Sequence, residues 1–350
     1  MASEGQKTGE GSGTADPAPP ADAYPRLRHI EITNYKALDH LVLDIPAPTM
    51  PGDPDIFVVG SKNGLGKTSL LECCALAHLK RCDHWQVDSF FHQLRAVTAV
   101  QDMPELCRLP DANLVIRAQH SDGASSEIVW HPSVRGTFAP SDVQGNVFVF
   151  IQQFFGRSAN VLINPYLLLF HGYRKIREGT LPAQDMLAQE RPEVASAVKL
   201  KAVRLLLASS GLVEGTDPAD AERRLEQLNA LLSSFTGGRI DKKLRPVGKD
   251  QLDLRIVTPR GTTFSFDGLS SGQKEIVTTL FLIWNETLAH PALVLIDEPE
   301  LHLNAEWQRE FLRHLLALAP KNQYILATHS EDIFASVSEE RRVLLEASHG

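Results

Sequence analysis

Ile56-Phe57-Val58-Val59-Gly60-Ser61-Lys62-Asn63-Gly64-Leu65-Gly66-Lys67-Thr68-Ser69, followed by Leu70-Leu71-Glu72-Cys73-Cys74-Ala75-Leu76, reads as strand, glycine loop and helix. Glycines let successive backbone N–H groups turn toward a polyphosphate, and the helix that follows adds the positive end of its dipole. In this pattern the Lys67 ammonium reaches the β- and γ-phosphates of a nucleotide, and the Thr68 hydroxyl ligates Mg²⁺. The candidate phosphate cradle is therefore Gly60, Ser61, Lys62, Asn63, Gly64, Leu65, Gly66, Lys67, Thr68 and Ser69. Ser61 stands where the usual pattern opens with glycine, which leaves Gly60 as the residue expected to take the tight turn.

Two further apolar runs end in polar residues. Ala292-Leu293-Val294-Leu295-Ile296 leads into Asp297-Glu298-Pro299-Glu300, and Gln323-Tyr324-Ile325-Leu326-Ala327 leads into Thr328-His329-Ser330. Continuous apolar runs fit strands covered on both faces of a parallel sheet, and acids at the end of one are unfavourable unless they meet a metal or water. Asp297 is thus a candidate for the Mg²⁺ shell, and Glu298 for the base that orients and deprotonates an attacking water. Open parallel sheets bind ligands outside the carboxyl ends of their strands. Delivered to that same end, His329 becomes a candidate γ-phosphate sensor, and the fold class is α/β.

Leu269-Ser270-Ser271-Gly272-Gln273 precedes a helical pattern. Serines there cap a helix, and the N–H groups they leave at its start make an anion site. Together these motifs resemble the ABC-type ATPase superfamily, in its soluble branch of SMC, RecF and OLD-like proteins, over about Leu27 to Leu345. The resemblance implies an ABC ATPase head: a RecA-like P-loop core, an N-terminal antiparallel β lobe and an inserted helical lobe. In that family an LSGGQ signature caps the γ-phosphate of ATP held by the opposite subunit. Here Ser271 replaces its first glycine. The resemblance therefore makes Ser270, Ser271, Gly272 and Gln273 nucleotide-binding residues, and implies a homodimer or higher even-numbered oligomer with ATP and Mg²⁺ at the interface.

Further residues follow from the same resemblance. A strand ending in Asn-aromatic-basic, matched by Asn34-Tyr35-Lys36, leads into the hairpin that Leu27–Ile45 alternates to form; Lys36 is either a phosphate contact or a solvated turn lysine. A strand-end glutamine links Mg²⁺ and the attacking water to the other lobe. Asn146-Val147-Phe148-Val149-Phe150-Ile151 offers Gln152 or Gln153 for that place, an ordinary polar strand end being the alternative. Tyr166-Leu167-Leu168-Leu169-Phe170-His171-Gly172-Tyr173-Arg174 is similar to a pattern of OLD and Septu-like ATPases, with no role assigned to Arg174.

With 350 residues, 43% of them hydrophobic, the chain fills one large two-lobed domain. Residues 1–25, rich in Gly, Ser, Ala, Pro and acids, are expected to be a disordered tail ahead of the ATPase domain at 26–350. No signal peptide or long apolar run is visible, which points to a cytoplasmic protein with no membrane segment. Cys73, Cys74, Cys82 and Cys107 form no CxxC pair and give no disulfide framework. Cys74, His78 and Cys82 share a helical face; the choice is between a zinc site lacking a fourth ligand and small core residues with a surface histidine. The net charge of -8 gives no global nucleic-acid footprint, although Arg239, Lys242, Lys243, Arg245 and Lys249 cluster, as a nucleic-acid contact or a solvated face.

About two hundred residues separate the glycine loop from the signature, more than a compact transporter ATPase needs. They open with a hairpin, Asn113–Arg117 and Glu127–Trp130 around Asp122-Gly123, and include a helical lobe at about 180–240 carrying apolar faces through Val194, Val198, Leu205 and Leu206, then Leu225, Leu228, Leu231 and Leu232. About twenty residues follow His329, without the nuclease domain that OLD-like proteins carry. The expectation is an ATPase subunit, resembling those of Septu and retron-associated anti-phage systems, that drives a separate nuclease or toxin effector. A DNA repair or chromosome-organising ATPase is the alternative, and a transporter's nucleotide-binding subunit the second.

Overall fold

The computed structural model describes residues 24–61, 64–82, 107–109, 112–130, 161–164, 166–172, 181–182, 197–246 and 251–346. Alternating side chains produce the first hairpin. β1 (Leu27–Tyr35) and β2 (Leu38–Asp44) pair antiparallel; Asn34 near the end of β1 and Lys36 in the turn that follows have φ of 58° and 48°. β3 (Asp55–Ser61) is buried at every position, as a strand covered on both faces must be. It runs through the glycine loop into the helix Lys67–Cys82. β4 (Leu114–His120) and β5 (Ser125–Trp130) form the expected hairpin and extend the first one into a four-stranded sheet, β2-β1-β4-β5.

β6 (Val161–Asn164) and β7 (Leu167–Phe170) return the chain to the central sheet. The described residues beyond them hold β8 (Leu181–Pro182), two helices, Ala197–Ser209 and Pro218–Thr236, and the short strands β9 (Arg239–Ile240), β10 (Arg245–Pro246), β11 (Gln251–Asp253), β12 (Arg255–Val257) and β13 (Thr263–Ser265). Within the helical lobe expected at about 180–240, the described residues hold a helix pair, with Leu181–Pro182 in a strand. Gly211 and Gly215, at φ of 71° and 76°, break it, and Asp217 caps the second helix with Pro218 in its first turn. Residues 1–23 of the expected tail, the expected strand Asn146–Gln153 and Arg174 lie outside the described residues.

The signature helix Ser271–Glu286 then leads to β14 (Leu293–Asp297), the helix Ala305–Leu318, β15 (Gln323–Thr328), the short helix Glu331–Ala335 and β16 (Arg342–Leu345). Among the described residues the central sheet has six strands in the order β16-β3-β15-β14-β7-β6, parallel throughout except for β6. Helices link its parallel strands, as crossover connections require. Thr328 pairs with Gly60 and Ala327 with Asp297, so β3, β15 and β14 finish side by side.

Two apolar cores flank this sheet. One holds the glycine-loop helix between the central and antiparallel sheets; the other holds the helix pair, the signature helix and Phe311, Leu312 and Leu315. Enclosure on both sides corrects the expectation of a surface His78, which is 0% exposed. Cys73 and Cys74 are buried with it, the Cys82 Sγ lies 3.6 Å from His78 Nε2, and the Tyr24 hydroxyl hydrogen-bonds to the same nitrogen. Among the described residues no group of three His, Cys, Asp or Glu side chains is arranged to hold a metal, and no helix is long and apolar enough to cross a membrane.

Burial, reinforced by nearby His120, pulls the pKa of His78 from 6.5 to about 3. The folded chain therefore keeps this ring neutral while the unfolded chain protonates it below 6.5, so stability is intact above that pH and declines as pH falls toward about 3. Unfolding free energy measured by denaturant titration between pH 6.5 and 4 should fall by up to about 1.4 kcal/mol per pH unit from this group. His78→Gln should flatten the slope by about one proton's worth; an unchanged slope would contradict the assignment.

Candidate nucleotide site

The carboxyl ends of β3, β15 and β14 bring the expected polar residues within reach of one another. Gly64 and Gly66 have φ of 81° and 88°, which only glycine adopts without strain, and this curls the loop into the start of the helix. A Cβ on Gly66 would stand 2.5 Å from Leu38 Cδ2, so the β1–β2 hairpin also closes down on the loop. Lys62 and Asn63 lie outside the described residues. Gly60 serves another end than the tight turn expected of it: it is the penultimate residue of β3, and a Cβ there would meet Phe334 Cδ2 at 2.8 Å. Its missing side chain admits the short helix Glu331–Ala335.

Lys67, 6% exposed, points back along its own loop. Its Nζ donates to Ser61 Oγ at 3.0 Å and to the Ser61 carbonyl at 3.3 Å, and lies 2.8 Å from His329 Nε2. The serine that departs from the glycine pattern thereby gives the ammonium an acceptor. Burial lowers the Lys67 pKa, while Asp297, Glu298 and Glu300 pull it back up. A bound polyphosphate would replace those acceptors with stronger charged ones.

Thr68 Oγ1 donates to Asp297 Oδ2 at 2.6 Å, joining the end of β14 to the first turn of the glycine-loop helix across β15. Asp297 is only 4% exposed. A hydroxyl and a carboxylate in contact form a hard-oxygen pair of the kind Mg²⁺ takes alongside phosphate oxygens and waters. Glu298 follows with φ of 50°, a strained backbone for a long side chain, and its carboxylate reaches within 3.8 Å of His329 Nε2.

Two participants went unassigned from sequence. Glu300 accepts from the His329 backbone N–H at 2.6 Å and from Thr328 Oγ1 at 2.7 Å, fixing the end of β15 from which the His329 ring projects. Its signal is the third acid of Asp297-Glu298-Pro299-Glu300. Gly172 forms a wall: a Cβ there would lie 3.1 Å from Asp297 Oδ2 and 3.3 Å from Glu298 Cδ. Only register places it there, since Phe170 pairs with Ile296.

Other expected residues sit apart from this group. Lys36 Nζ is bonded to both oxygens of buried Glu72, at 2.6 and 2.8 Å, and the Tyr35 hydroxyl donates to the same carboxylate at 3.0 Å. Ser270 is exposed and caps the signature helix: its Oγ accepts from the Gln273 N–H at 3.2 Å, and Gln273 Oε1 accepts from the Ser270 N–H at 3.0 Å. That cap uses Ser270 as an acceptor, and a hydroxyl can donate as well. A Cβ on Gly272 would stand 2.5 Å from the His302 carbonyl, so the glycine allows the signature helix to pack on the loop after Glu300. Ser69 is buried, Ser271 is exposed, and Gln152 and Gln153 lie outside the described residues.

Residues 200–335 match the protein family described as AAA domain, putative AbiEii toxin, Type IV TA system. The retron Vc95 probable ATPase of Vibrio cholerae serotype O1 biovar El Tor is 32% identical over 100 residues, 26% of this chain and 19% of its own. The Septu protein PtuA of Bacillus thuringiensis is 29% identical over 120 residues, 30% of each chain. The retron Ec83 probable ATPase of Escherichia coli is 29% identical over 133 residues, 35% of this chain and 24% of its own. The matched stretch thus spans less than a third of each of these relatives. Among solved structures, the SMC head bound to the C-winged helix domain of ScpA aligns with a TM-score of 0.44 at 13% identity, covering 89% of this chain and 92% of that one. The SMC head domain from Thermotoga maritima aligns with a TM-score of 0.38 at 14% identity, covering 91% and 93%.

If Glu300 acts by holding His329, their effects overlap. Under an ATPase reading of this site, Glu300→Ala and His329→Ala should each lower turnover by about tenfold, ~1.4 kcal/mol in barrier. The double variant should lose little more than either single one. Full multiplication of the two losses in steady-state rates would show that the residues act separately.

Proposed function

We propose that the chain is a Mg²⁺-dependent ATPase whose two copies close over ATP and whose closure controls a separate effector in anti-phage defence. The observation that carries the ATPase reading is the Thr68–Asp297 contact beside Lys67, which joins the hydroxyl and carboxylate that Mg²⁺ would need to the ammonium that the phosphates would need. The similarity to two retron probable ATPases and to the Septu protein PtuA supports the defence setting. Residues 26–350 would act as one cytoplasmic ATPase domain, with the effector, a nuclease or toxin, on another polypeptide.

Thr68 and Asp297 would hold the Mg²⁺, which neutralises charge on the β- and γ-phosphates when bound. On ATP binding, Lys67 exchanges the Ser61 oxygens and His329 for phosphate oxygens. Glu298 takes a proton from the attacking water as its oxygen bonds to the γ-phosphorus, and the bond to the β–γ bridging oxygen breaks, leaving ADP and phosphate. His329 donates to the γ-phosphate and reports its loss. Ser270 of the second copy, with the N–H groups behind it, caps the same phosphate. Hydrolysis removes the group that both copies grip, and the pair opens.

A second reading, an ATPase acting on DNA, is favoured by one feature: Arg239, Lys242, Lys243 and Arg245 are all exposed near the helix pair, with Lys242 already paired to Glu222 at 2.9 Å. Neutralising Lys242 and Lys243 would weaken salt-dependent DNA binding under that reading and change nothing under the first.

Glu298→Gln should abolish turnover, retain ATP and accumulate closed dimer, whereas Lys67→Ala should lose nucleotide altogether. Phosphate release and nucleotide retention on gel filtration measure both. Turnover in Glu298→Gln equal to wild type would overturn the catalytic assignment.

A further inference from the structure

Ser270 stands at the surface, but the turn before it is tied down from beneath. Phe266–Gly268 forms a single tight turn whose Phe266 ring is buried, and Leu269 after it is buried too. Lys199, in the helix Ala197–Ser209, is 4% exposed, and its ammonium pairs with the Asp267 carboxylate. The same ammonium lies 6.0 Å from the centre of the Phe266 ring. Lys274, buried in the signature helix, donates to the Asp267 carbonyl at 2.8 Å. One residue, three positions before Ser270, is therefore gripped by two buried lysines, one from the helix pair and one from the signature helix.

A buried ammonium is unfavourable unless it is paired, and a solvated surface pair would place no such demand on the fold. The helix cap itself is complete without Lys199, since Ser270 and Gln273 satisfy each other. What Lys199 adds is a fixed relation between the signature turn and the helix pair. We infer that Lys199 is a positioning residue of the split ATP site: through Asp267 it sets the direction in which Ser270 is presented to the γ-phosphate held by a second copy. Movement of the helix pair then carries the signature turn with it, which makes this ion pair the link by which anything bound to the helix pair governs closure. The inference rests on the reading that two copies close over ATP.

The test uses the full chain carrying Glu298→Gln, so that hydrolysis is blocked. Light scattering gives the protein concentration at half-dimerisation with ATP and Mg²⁺, and a fluorescent ATP analogue gives nucleotide affinity at concentrations too dilute to dimerise. Lys199→Met should raise the half-dimerisation concentration at least tenfold and leave monomer affinity within twofold, and Lys199→Arg should restore dimerisation. The pair Lys199→Met with Asp267→Asn strands no charge and should show the same defect, so it stands in where the single variant folds poorly. An unchanged midpoint in either folded variant would sink the inference while leaving ATP-driven closure intact. Loss of affinity in step with dimerisation would show a general structural role and sink it equally. If the Glu298→Gln parent itself stays monomeric with ATP, closure fails and this inference fails with it.

Discussion

A carboxylate almost wholly removed from water, Asp297, accepts a hydrogen bond from the hydroxyl of Thr68 at 2.6 Å, and the rest of the site is arranged around that contact. Desolvating a carboxylate is expensive unless hydrogen bonds or a cation replace the lost water. This hydrogen bond comes from a residue 229 positions away, so it exists only while β14, β15 and β3 keep their parallel register. A one-residue slip of β14 would turn Asp297 toward the opposite face. Packing of the central sheet is in this sense part of the chemistry: apolar burial of Leu293–Ile296 holds the acid where the helix can meet it.

The helices impose a second constraint, close approach. Gly60 admits Phe334, Gly66 admits Leu38, Gly172 admits the two acids and Gly272 admits the His302 carbonyl. Each glycine stands where two elements meet at the site, and the last joins the signature helix to the loop that leaves the acid pair. Through that contact the residues that would hold one ATP and the residues that would cap another are packed together within the same chain. Lys199 and Lys274 extend the connection to the helix pair.

Much of this was legible in the sequence because the signals are local. The apolar runs, the glycine loop, the acids at the end of β14 and the cap at Ser270 each declare themselves within ten residues, and the hairpin at Asp122-Gly123 follows from alternation and a turn residue. Long-range pairing was not legible. Nothing near Lys36 tells that Glu72 will receive its ammonium, nothing near Lys199 points to Asp267, and nothing near Asp297 names the strand inserted between it and the loop. His78 shows why periodicity misleads here: between two sheets the helix is buried at every position from Ser69 to Leu79, so a polar residue on any face of that stretch is buried.

The account stands or falls on whether two copies complete each other's nucleotide site. A structure of the Glu298→Gln chain determined with ATP and Mg²⁺ tests it most directly. The account predicts a dimer in which Lys67 and Thr68 of one copy and Ser270 of the other lie within hydrogen-bond reach of the same triphosphate. A nucleotide held by Lys67 alone, with Ser270 of every neighbouring copy facing solvent, would contradict it.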